Sequence, residues 1–257
     1  MLAEERRQKI LEQVNADERG SIQVVELSQI FGVTGMTIRR DLDILERESR
    51  IRRVHGGVIG INSDMTWAPF SERRKEFISE KRQIGKMAAR LIKEGDRVAL
   101  DSGTTTMQIA RNLGMFKDIT VVTNSLSIAA VLSQINPGKL IMLGGETRLD
   151  EMCTIGSIPA NQVSQYNLDK AFIGTTGFSF EKGVTDSLLP EAEVKLAMIR
   201  SAREAILVAD SSKWNIQRFI RVAELQAFHT IISDGKLDKN AIKILQEQGI
   251  EVLIADN

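Results

Sequence analysis

The hydrophobic positions of residues 80–257 form short apolar runs that alternate with helical patterns. Most of these runs are continuously apolar, as expected for strands that are buried on both faces of a parallel sheet. The seven runs are Val98–Leu100, Ile119–Val122, Leu140–Leu143, Ala171–Ile173, Ala205–Val208, Thr230–Ile232 and Val252–Ile254. Amphipathic stretches lie between several of them, at 82–92, 107–113, 126–134, 191–202 and 239–248. This alternation predicts an α/β domain built on a layered sheet.

Residues 1–59 follow a different pattern, of short helices and then a basic hairpin. Apolar stripes predict helices within Glu4–Asn15 and Val24–Phe31, the second with Leu27, Ile30 and Phe31 on its inner face. Gly32 then breaks the chain, and Thr34 can cap a third helix that runs to about residue 48. Two helices joined by a tight turn that contains glycine predict a helix-turn-helix.

The third helix and the segment after it carry the residues suited to DNA. The first turns of a recognition helix meet base edges, and the run 50–58 alternates and turns at Gly56-Gly57, as a β-hairpin wing does. This run contains cations and no acids, which suits contact with phosphates. The alternative is an ordinary solvated face, but the turn, the helix start and the basic wing occur together and favour DNA binding. The DNA-binding candidates are Thr34, Met36, Thr37, Arg39, Arg40, Arg52, Arg53 and His55.

These N-terminal motifs resemble the DNA-binding region of the DeoR family of bacterial sugar-operon regulators. The resemblance implies a winged helix-turn-helix whose third helix and wing contact the operator. At Gly35-Met36 the chain departs from residues common in the family, so the operator sequence is not predicted. The motifs that carry the resemblance are Arg6-x3-Ile10-x3-Val14, Val25-Glu26-Leu27, 31–34, 37–46 and His55-Gly56-Gly57.

Polar turns follow five of the predicted strands. The turn at 101–106 combines glycine, hydroxyl groups and a helix start, which are the parts of a phosphate site. Taken alone, it is equally well explained by helix capping. Ligands of open α/β sheets bind outside the carboxyl ends of the strands, so the repetition predicts one shared small-ligand site. The other turns are 123–125, 144–146, 174–177 and 210–213.

A group of charged residues follows these turns in the sequence. Asp186 and Glu191 supply carboxylates, and Lys195 supplies an ammonium that can neutralise a phosphate. Lys195 also stands four residues after Glu191, a spacing that stabilises an exposed helix by itself, and the two interpretations are compatible. Arg148 is a further candidate for anion contact, with surface charge as the alternative.

The series DSGTTT, VTNSL, LGGETR, AFIGTTGF, GVTD, EAEVK and VADSSK is similar, in order, to the C-terminal domain of the DeoR family. The two resemblances together cover nearly the whole chain. That domain resembles ribose-5-phosphate isomerase and the CoA-transferase-like folds, and it implies sensing of a phosphorylated sugar or a related intermediate. The effector-binding candidates implied by the resemblance are Asp101, Ser102, Gly103, Thr104, Thr105, Thr106, Thr123, Asn124, Gly144, Gly145, Gly174, Thr175, Thr176, Lys195, Asp210 and Lys213.

The composition narrows the remaining possibilities. The 257 residues include 34 Lys and Arg against 34 Asp and Glu, so the overall charge gives no attraction to nucleic acid and any such binding is local. A single cysteine, Cys153, cannot form an internal disulfide, and no Cys/His cluster is present to hold zinc. We therefore expect no metal and no cofactor. The charged N-terminus lacks a signal-peptide pattern and no run is long enough to span a membrane, so we expect a cytoplasmic protein.

Two function classes compete at this point. A sugar-phosphate isomerase would use carboxylates such as Asp101, Asp186 and Glu191, but an enzyme has no need of a fused DNA reader. We therefore expect a transcriptional regulator without catalytic residues: a repressor that a sugar phosphate releases from operator DNA, acting as a homodimer or homotetramer. The expected organisation is a winged helix-turn-helix domain over 1–59, a linker over 60–79 and an effector domain over 80–257.

Overall fold

The computed structural model describes residues 3–16, 22–47, 50–54, 57–60 and 70–255. The chain divides into two compact units, Met1–Trp67 and Ala68–Asn257. Each unit is described by itself.

The first unit is a helix-turn-helix followed by a β-hairpin, as the sequence predicts. The hairpin strands pair antiparallel, and a short strand that the sequence pattern does not predict adds to the hairpin, in the order β1-β3-β2. Two residues are too few to show a strand period. Its elements are α1 (Ala3–Ala16), β1 (Ile22–Gln23), α2 (Val24–Phe31), α3 (Gly35–Arg47), β2 (Ile51–Val54) and β3 (Gly57–Gly60).

The turn between α2 and α3 has the predicted chemistry. Gly32 ends α2 in the left-handed region at φ 63°, where a residue without Cβ is favoured. The Oγ1 of Thr34 accepts a hydrogen bond from the backbone N–H of Thr37 at 3.3 Å, so Thr34 caps α3. Leu27 is buried as expected, whereas Ile30 is 54% exposed, so the predicted inner face of α2 is wrong at Ile30.

The second unit is a three-layer α/β domain. Its three short 3-10 turns lie at Leu113–Met115, Ser211–Lys213 and Leu225–Ala227. Its helices are α4 (Phe70–Arg73), α5 (Ile78–Ala89), α6 (Thr106–Ala110), α7 (Leu126–Ile135), α8 (Ser157–Val163), α9 (Leu189–Ser201) and α10 (Lys239–Glu247). Its strands are β4 (Arg97–Leu100), β5 (Ile119–Thr123), β6 (Gly138–Met142), β7 (Glu146–Arg148), β8 (Cys153–Ile155), β9 (Leu168–Ile173), β10 (Gly177–Ser179), β11 (Gly183–Asp186), β12 (Ala202–Val208), β13 (Ile220–Ala223), β14 (Thr230–Asp234) and β15 (Glu251–Ala255).

All seven predicted apolar runs are strands of one parallel sheet, in the order β15-β14-β12-β9-β4-β5-β6. The chain builds β4, β5 and β6 outward in one direction, then returns beside β4 and builds β9, β12, β14 and β15 in the other. The order therefore reverses between β4 and β9, and open α/β sheets bind ligands at the carboxyl ends of the strands at such a point. The hairpin β7–β8 and the antiparallel sheet β10-β11-β13 lie outside the main sheet.

Both faces of the main sheet are covered. Val98 and Leu100 of β4 pack in a core with residues of α5, α6 and α7. Ala99, between them in the sequence, packs in the opposite core with residues of α8, α9 and α10. Adjacent residues of one strand thus serve different cores, which is why the strands have continuously apolar sequences.

Part of the predicted linker, 60–79, is structured. Residues 70–79 form α4 and the start of α5, and Phe70 is buried in the core beneath α5. Residues 61–69 lie outside the described part of the chain. Within the described residues, no helix combines the length and the apolar character needed to cross a membrane.

Truncation of Phe172 tests the position of the core. Phe172 lies in the central strand β9 and is fully buried, so we expect Phe172→Ala to lower the free energy of unfolding by about 3–5 kcal/mol. Phe219→Ala is the matched control, since Phe219 is 82% exposed, and it should change the free energy by less than about 0.5 kcal/mol. Urea unfolding of both variants is the measurement, and equal losses would contradict the assigned core.

Candidate DNA-binding face and effector site

The first turns of α3 present the predicted DNA-binding side chains to solvent. Thr34, Arg39 and Arg40 are exposed, Met36 is 67% exposed, and Thr37 is half-buried by its contact with the cap. Arg52 and Arg53 lie in strand β2, where the structure describes the backbone but not the side chains. His55 lies outside the described residues.

A buried ion pair fixes α3 against α1. The carboxylate of Asp41 is buried and accepts a hydrogen bond from Nε of Arg6 at 2.6 Å, with Nη1 of Arg7 3.8 Å from its other oxygen. Asp41 follows Arg40 directly, so this pair sets which side of α3 turns inward and leaves Arg40 outside. Sequence reasoning did not assign Asp41 a role, because its partner is on another helix.

The second site is centred on Lys195, whose ammonium is buried at the carboxyl edge of the main sheet. Nζ of Lys195 lies 3.0 Å from Oδ2 of Asp101 and 3.1 Å from Oδ2 of Asp186. It also donates to the backbone oxygen of Gly174 at 2.9 Å. Asp101 follows β4 and Gly174 follows β9, so the ammonium lies at the reversal of strand order. The structure thus brings together three of the predicted effector-site residues: Asp101, Gly174 and Lys195.

The charges around Lys195 shift the pKa of two groups. Burial alone would lower the pKa of Lys195, but the carboxylates of Asp101, Asp186 and Glu191 outweigh it and hold this pKa well above its usual value. Burial and the neighbouring Asp186 raise the pKa of Glu191 to about 7, although Lys195 and Arg148 act in the opposite direction. Arg148 donates from Nη1 to Oε1 of Glu191 at 2.6 Å.

Two buried oxygens at the ends of β4 and β5 are acceptors without a donor among the described residues. Oδ1 of Asp101 and Oδ1 of Asn124 have no hydrogen-bond partner among the described residues. Leu100 and Thr123, the residues before them, are register partners on β4 and β5, so the two side chains leave neighbouring strand ends. The amide nitrogen of Asn124 is already used, since Nδ2 donates to the backbone oxygen of Thr154 at 2.8 Å. Because a buried polar atom without a partner is costly, these acceptors suit a ligand that donates hydrogen bonds.

Several predicted threonines use their hydroxyl hydrogen within the protein. Thr106 donates to the backbone oxygen of Asp101 at 2.6 Å, and Thr123 donates to that of Leu100 at 2.7 Å. Thr175 and Thr176 both donate to the backbone oxygen of Thr185. These side chains hold the turns in shape, so their position in the site does not make them hydrogen-bond donors to a ligand.

The other effector-site candidates lie in the turn 102–105 and in the turn Gly144-Gly145, and they differ in burial. Thr104 and Thr105 are buried, Gly103 is half-buried, and the half-buried Ser102 lies with its Oγ 3.4 Å from Nδ2 of Asn124. The Gly144-Gly145 turn is exposed and packs on α8, where the backbone N–H of Gly144 donates to Gln162 at 2.8 Å.

A group of cations surrounds Asp210 at the end of β12. Oδ2 of Asp210 lies 3.9 Å from Nζ of Lys81, and its Oδ1 accepts from the hydroxyl of Ser212. Burial lowers the pKa of Lys81 to about 8, and repulsion from Lys213 adds to this, while Asp210 raises it. Burial likewise lowers the pKa of Lys213, with Arg73 and Arg218 adding their repulsion.

Sequence reasoning found Asp210 and Lys213 but missed the other cations of this group, Arg73, Lys81 and Arg218. Lys81 precedes the predicted helix 82–92 among other charged residues, so no pattern separated it from a solvated lysine. It is buried, which is unusual for a lysine.

The described residues include no group of three or more His, Cys, Asp or Glu side chains arranged to hold a metal ion. Cys153 is buried, and burial raises the pKa of its thiol to about 12, so the thiolate form is suppressed at neutral pH. The feature that stands out at the carboxyl edge of the sheet is the buried ion-paired cluster around Lys195.

Comparison with family models identifies both units. The DeoR-like helix-turn-helix domain matches residues 6–64, and the DeoR C terminal sensor domain matches residues 76–235. The chain belongs to the DeoR family. It is therefore a DNA-binding transcriptional regulator, and its relatives carry the names of regulators and repressors, not of enzymes.

Individual relatives align with this DeoR-family chain over nearly its full length. It is 38% identical to the HTH-type transcriptional regulator YulB of Bacillus subtilis over 98% of this chain and 96% of that protein. It is 35% identical to the HTH-type transcriptional repressor GlcR of Bacillus subtilis, over 100% and 98%. It is 32% identical to the glycerol-3-phosphate regulon repressor of Haemophilus influenzae, over 98% and 96%.

Solved structures that are similar to this DeoR-family chain cover about half of it. Ribose 5-phosphate isomerase A from Methanocaldococcus jannaschii is 19% identical with a TM-score of 0.39, over 52% of this chain and 53% of that one. The delta subunit of eIF2B from Chaetomium thermophilum is 14% identical with a TM-score of 0.42, over 63% and 57%. The functional conclusion rests on the family and the relatives, not on these structures.

The raised pKa of Glu191 predicts a dependence of stability on pH. A carboxyl whose pKa rises on folding binds more protons in the folded chain, so the free energy of unfolding should fall as the pH rises from about 4.5 to about 7 and then level off. Glu191→Gln should remove part of this fall, measured by urea unfolding at pH 5 and pH 7.5. Glu193→Gln, at an exposed position on the same helix, should leave it in place; the same slope in all three proteins would disprove the assignment.

Proposed function

We propose that this regulator is a repressor of a sugar-catabolism operon and that a phosphorylated sugar releases it from its operator. The observation that carries the proposal is a pair of chemically different side-chain clusters along the carboxyl edge of the main sheet. One cluster, the Asp210 end, holds the cations around Asp210, and the other, the Asp101 end, holds the acceptor oxygens of Asp101 and Asn124. A molecule that carries a phosphate at one end and hydroxyl groups at the other complements both.

The phosphate belongs at the Asp210 end. Lys81 is buried and Lys213 half-buried there. Burial lowers the pKa of both, and nearby cations add to this, so a bound anion stabilises their charged forms. Lys195, which the sequence suggested as the phosphate ligand, already lies between the carboxylates of Asp101 and Asp186. Its role in this proposal is to hold the carboxylates in place.

The hydroxyl groups belong at the Asp101 end. A hydroxyl donates one hydrogen bond, and Oδ1 of Asp101 and Oδ1 of Asn124 each need one donor. Asp101 follows β4 and Asp210 follows β12, with β9 between them, so the two ends are two strand spacings apart, about 10 Å. This separation is comparable with the length of a five- or six-carbon sugar phosphate.

Operator DNA is the partner of the first unit in this proposal. Thr34, Met36, Thr37, Arg39 and Arg40 of the helix start contact base edges and phosphates, and the wing residues Arg52, Arg53 and His55 contact phosphates. Two-fold related half-sites require at least two copies of the reader, so the working form is a homodimer or homotetramer, and it acts in the cytoplasm where the DNA is.

The direct test is binding of the full-length protein to DNA from upstream of its own gene, at fixed salt. The binding is repeated with glycerol 3-phosphate, ribose 5-phosphate, fructose 1-phosphate, fructose 6-phosphate, glucose 6-phosphate and inorganic phosphate. Release by one sugar phosphate, but not by inorganic phosphate at the same concentration, supports the proposal. Tight and specific binding that no compound changes would remove the sugar-phosphate claim and leave the DNA-binding function.

Substitution of Arg40 tests the DNA-binding face. Arg40→Ala should weaken operator binding about tenfold or more, since an arginine contact with a base edge or phosphate is lost. Arg203→Ala is the matched control, because Arg203 is exposed and belongs to the second unit. Fluorescence anisotropy of labelled DNA measures both, and equal affinities would exclude α3 as the recognition helix.

Substitution of Lys213 tests the phosphate end. Lys213→Met should weaken sugar-phosphate binding about tenfold or more and leave operator binding unchanged, because a charge-assisted hydrogen bond to the phosphate is lost. Lys182→Met, at an exposed position, should bind the sugar phosphate as the wild type does. Titration calorimetry is the measurement; unchanged affinity in Lys213→Met would place the phosphate elsewhere.

A further inference from the structure

Residues 70–77, which we name the strap, are the first described residues after the DNA-binding unit, and they are tied to the proposed effector site. Phe70 anchors one end in the core with residues of α5. Arg73 is buried and forms an ion pair with Glu151, which lies between β7 and β8. Nζ of Lys81 donates to the backbone oxygens of Arg73 and Glu76, both at 2.8 Å.

The strap is bonded to elements that adjoin both proposed ligand-binding clusters. On the Asp210 side, Lys81 donates to two carbonyl groups of the strap, and its Nζ lies 3.9 Å from Oδ2 of Asp210. On the other side, Glu151 precedes Met152, whose backbone oxygen accepts from the N–H of Leu126 at 2.8 Å, just beyond Asn124. The strap is therefore linked through Lys81 to the Asp210 cluster and through Glu151 to the loop beside Asn124.

Lys81 makes its hydrogen bonds to the strap and only an ion pair to Asp210. An ammonium has three donors, and two of them serve the strap. The distance of 3.9 Å to Asp210 is too long for a hydrogen bond, and Oδ2 of Asp210 has no hydrogen-bond donor among the described residues. The ammonium is thus held off the carboxylate by the carbonyl groups of Arg73 and Glu76, and a stronger anion nearby competes with those carbonyl groups for it.

We propose that the strap transmits effector binding to the DNA-binding unit: the anionic group of the effector draws the ammonium of Lys81 away from the carbonyl oxygens of Arg73 and Glu76, and the strap loosens. This proposal rests on the proposed function. Without Lys81 those carbonyl oxygens lose their donor, and the segment that leads back along the chain to the DNA-binding unit loses a fixed point. The effector thus binds more tightly when the strap is loose than when it is fixed. Such a difference in affinity between two states is what allosteric coupling requires.

Hydrogen exchange of the full-length protein tests the loosening directly. The N–H of Arg74 bonds to the backbone oxygen of Phe70 at 3.0 Å, and that of Lys81 to the oxygen of Phe77 at 2.9 Å, so both amides report on the strap. Each sugar phosphate of the panel above is added, with inorganic phosphate as a separate probe. A compound that releases DNA should speed exchange at 74–81 about fivefold or more and leave β4 and β5 unchanged. Unchanged or slower exchange at 74–81 with that compound would overturn the proposal.

A variant loosens the strap without any effector. Glu151→Gln removes the charge that holds Arg73, so operator affinity should fall about fivefold or more in the absence of ligand, while the far-UV spectrum and melting temperature show that the domain is folded. Arg73→Gln breaks the same pair from the strap side and should behave alike, which covers the case in which Glu151→Gln does not fold. Operator affinity equal to that of the wild type in either folded variant would overturn the proposal.

The matched control is Asp169→Asn, the same change of carboxylate to amide in another ion pair. Asp169 pairs with Arg97 at 2.9 Å near the start of β4, at the amino end of the strands. Its operator affinity should equal that of the wild type. If no sugar phosphate binds, the proposed function fails, and the Glu151→Gln arm still decides whether the strap controls operator binding. If a sugar phosphate binds and releases DNA but the strap variants behave as wild type, only the strap proposal fails.

Discussion

The second unit depends on one buried ammonium, that of Lys195. It joins the carboxylate after β4, the carbonyl group after β9 and the carboxylate at the end of β11, so three elements distant in sequence share one counter-charge. Removal of one partner of a buried ion pair costs roughly 3–5 kcal/mol, because the charges left behind stay buried. The ion-paired cluster at the reversal of strand order is therefore formed before any ligand arrives.

This arrangement separates two electrostatic environments along one edge of the sheet. Near Lys195, burial and the carboxylate of Asp186 raise the pKa of Glu191. Near Asp210, burial and then repulsion between cations lower the pKa values of Lys81 and Lys213. A neutral polyol complements only the first environment and inorganic phosphate only the second. Discrimination by such a site comes from the ligand that satisfies both, because groups left unpaired in a buried site are penalised.

The sequence predicted the features that repeat or are local. All seven strands of the sheet follow from apolar runs, and the cap at Thr34 follows from its position before a helix. Short strands such as β1 and β7 were not predicted, because two or three residues are too few to show the alternation of a strand. The partners of Lys195 could not be predicted because they come from other elements. Lys81 was missed because a buried lysine that donates to carbonyl groups has the same sequence context as a solvated one. The contacts of Lys195 and Lys81 are made in the tertiary structure, so the local sequence pattern does not predict them.

In the proposed mechanism the effector site and the DNA-binding face are coupled, and coupling free energies are reciprocal. The most direct measurement is the affinity of the free protein for the sugar phosphate that releases it, compared with the affinity of the operator-bound protein for the same compound. Trp214, which follows Lys213 and packs edge-on against Phe178, is a natural fluorescent reporter for this titration. We expect operator DNA to weaken effector binding by the same factor by which the effector weakens operator binding. Equal effector affinity with and without operator DNA would contradict it.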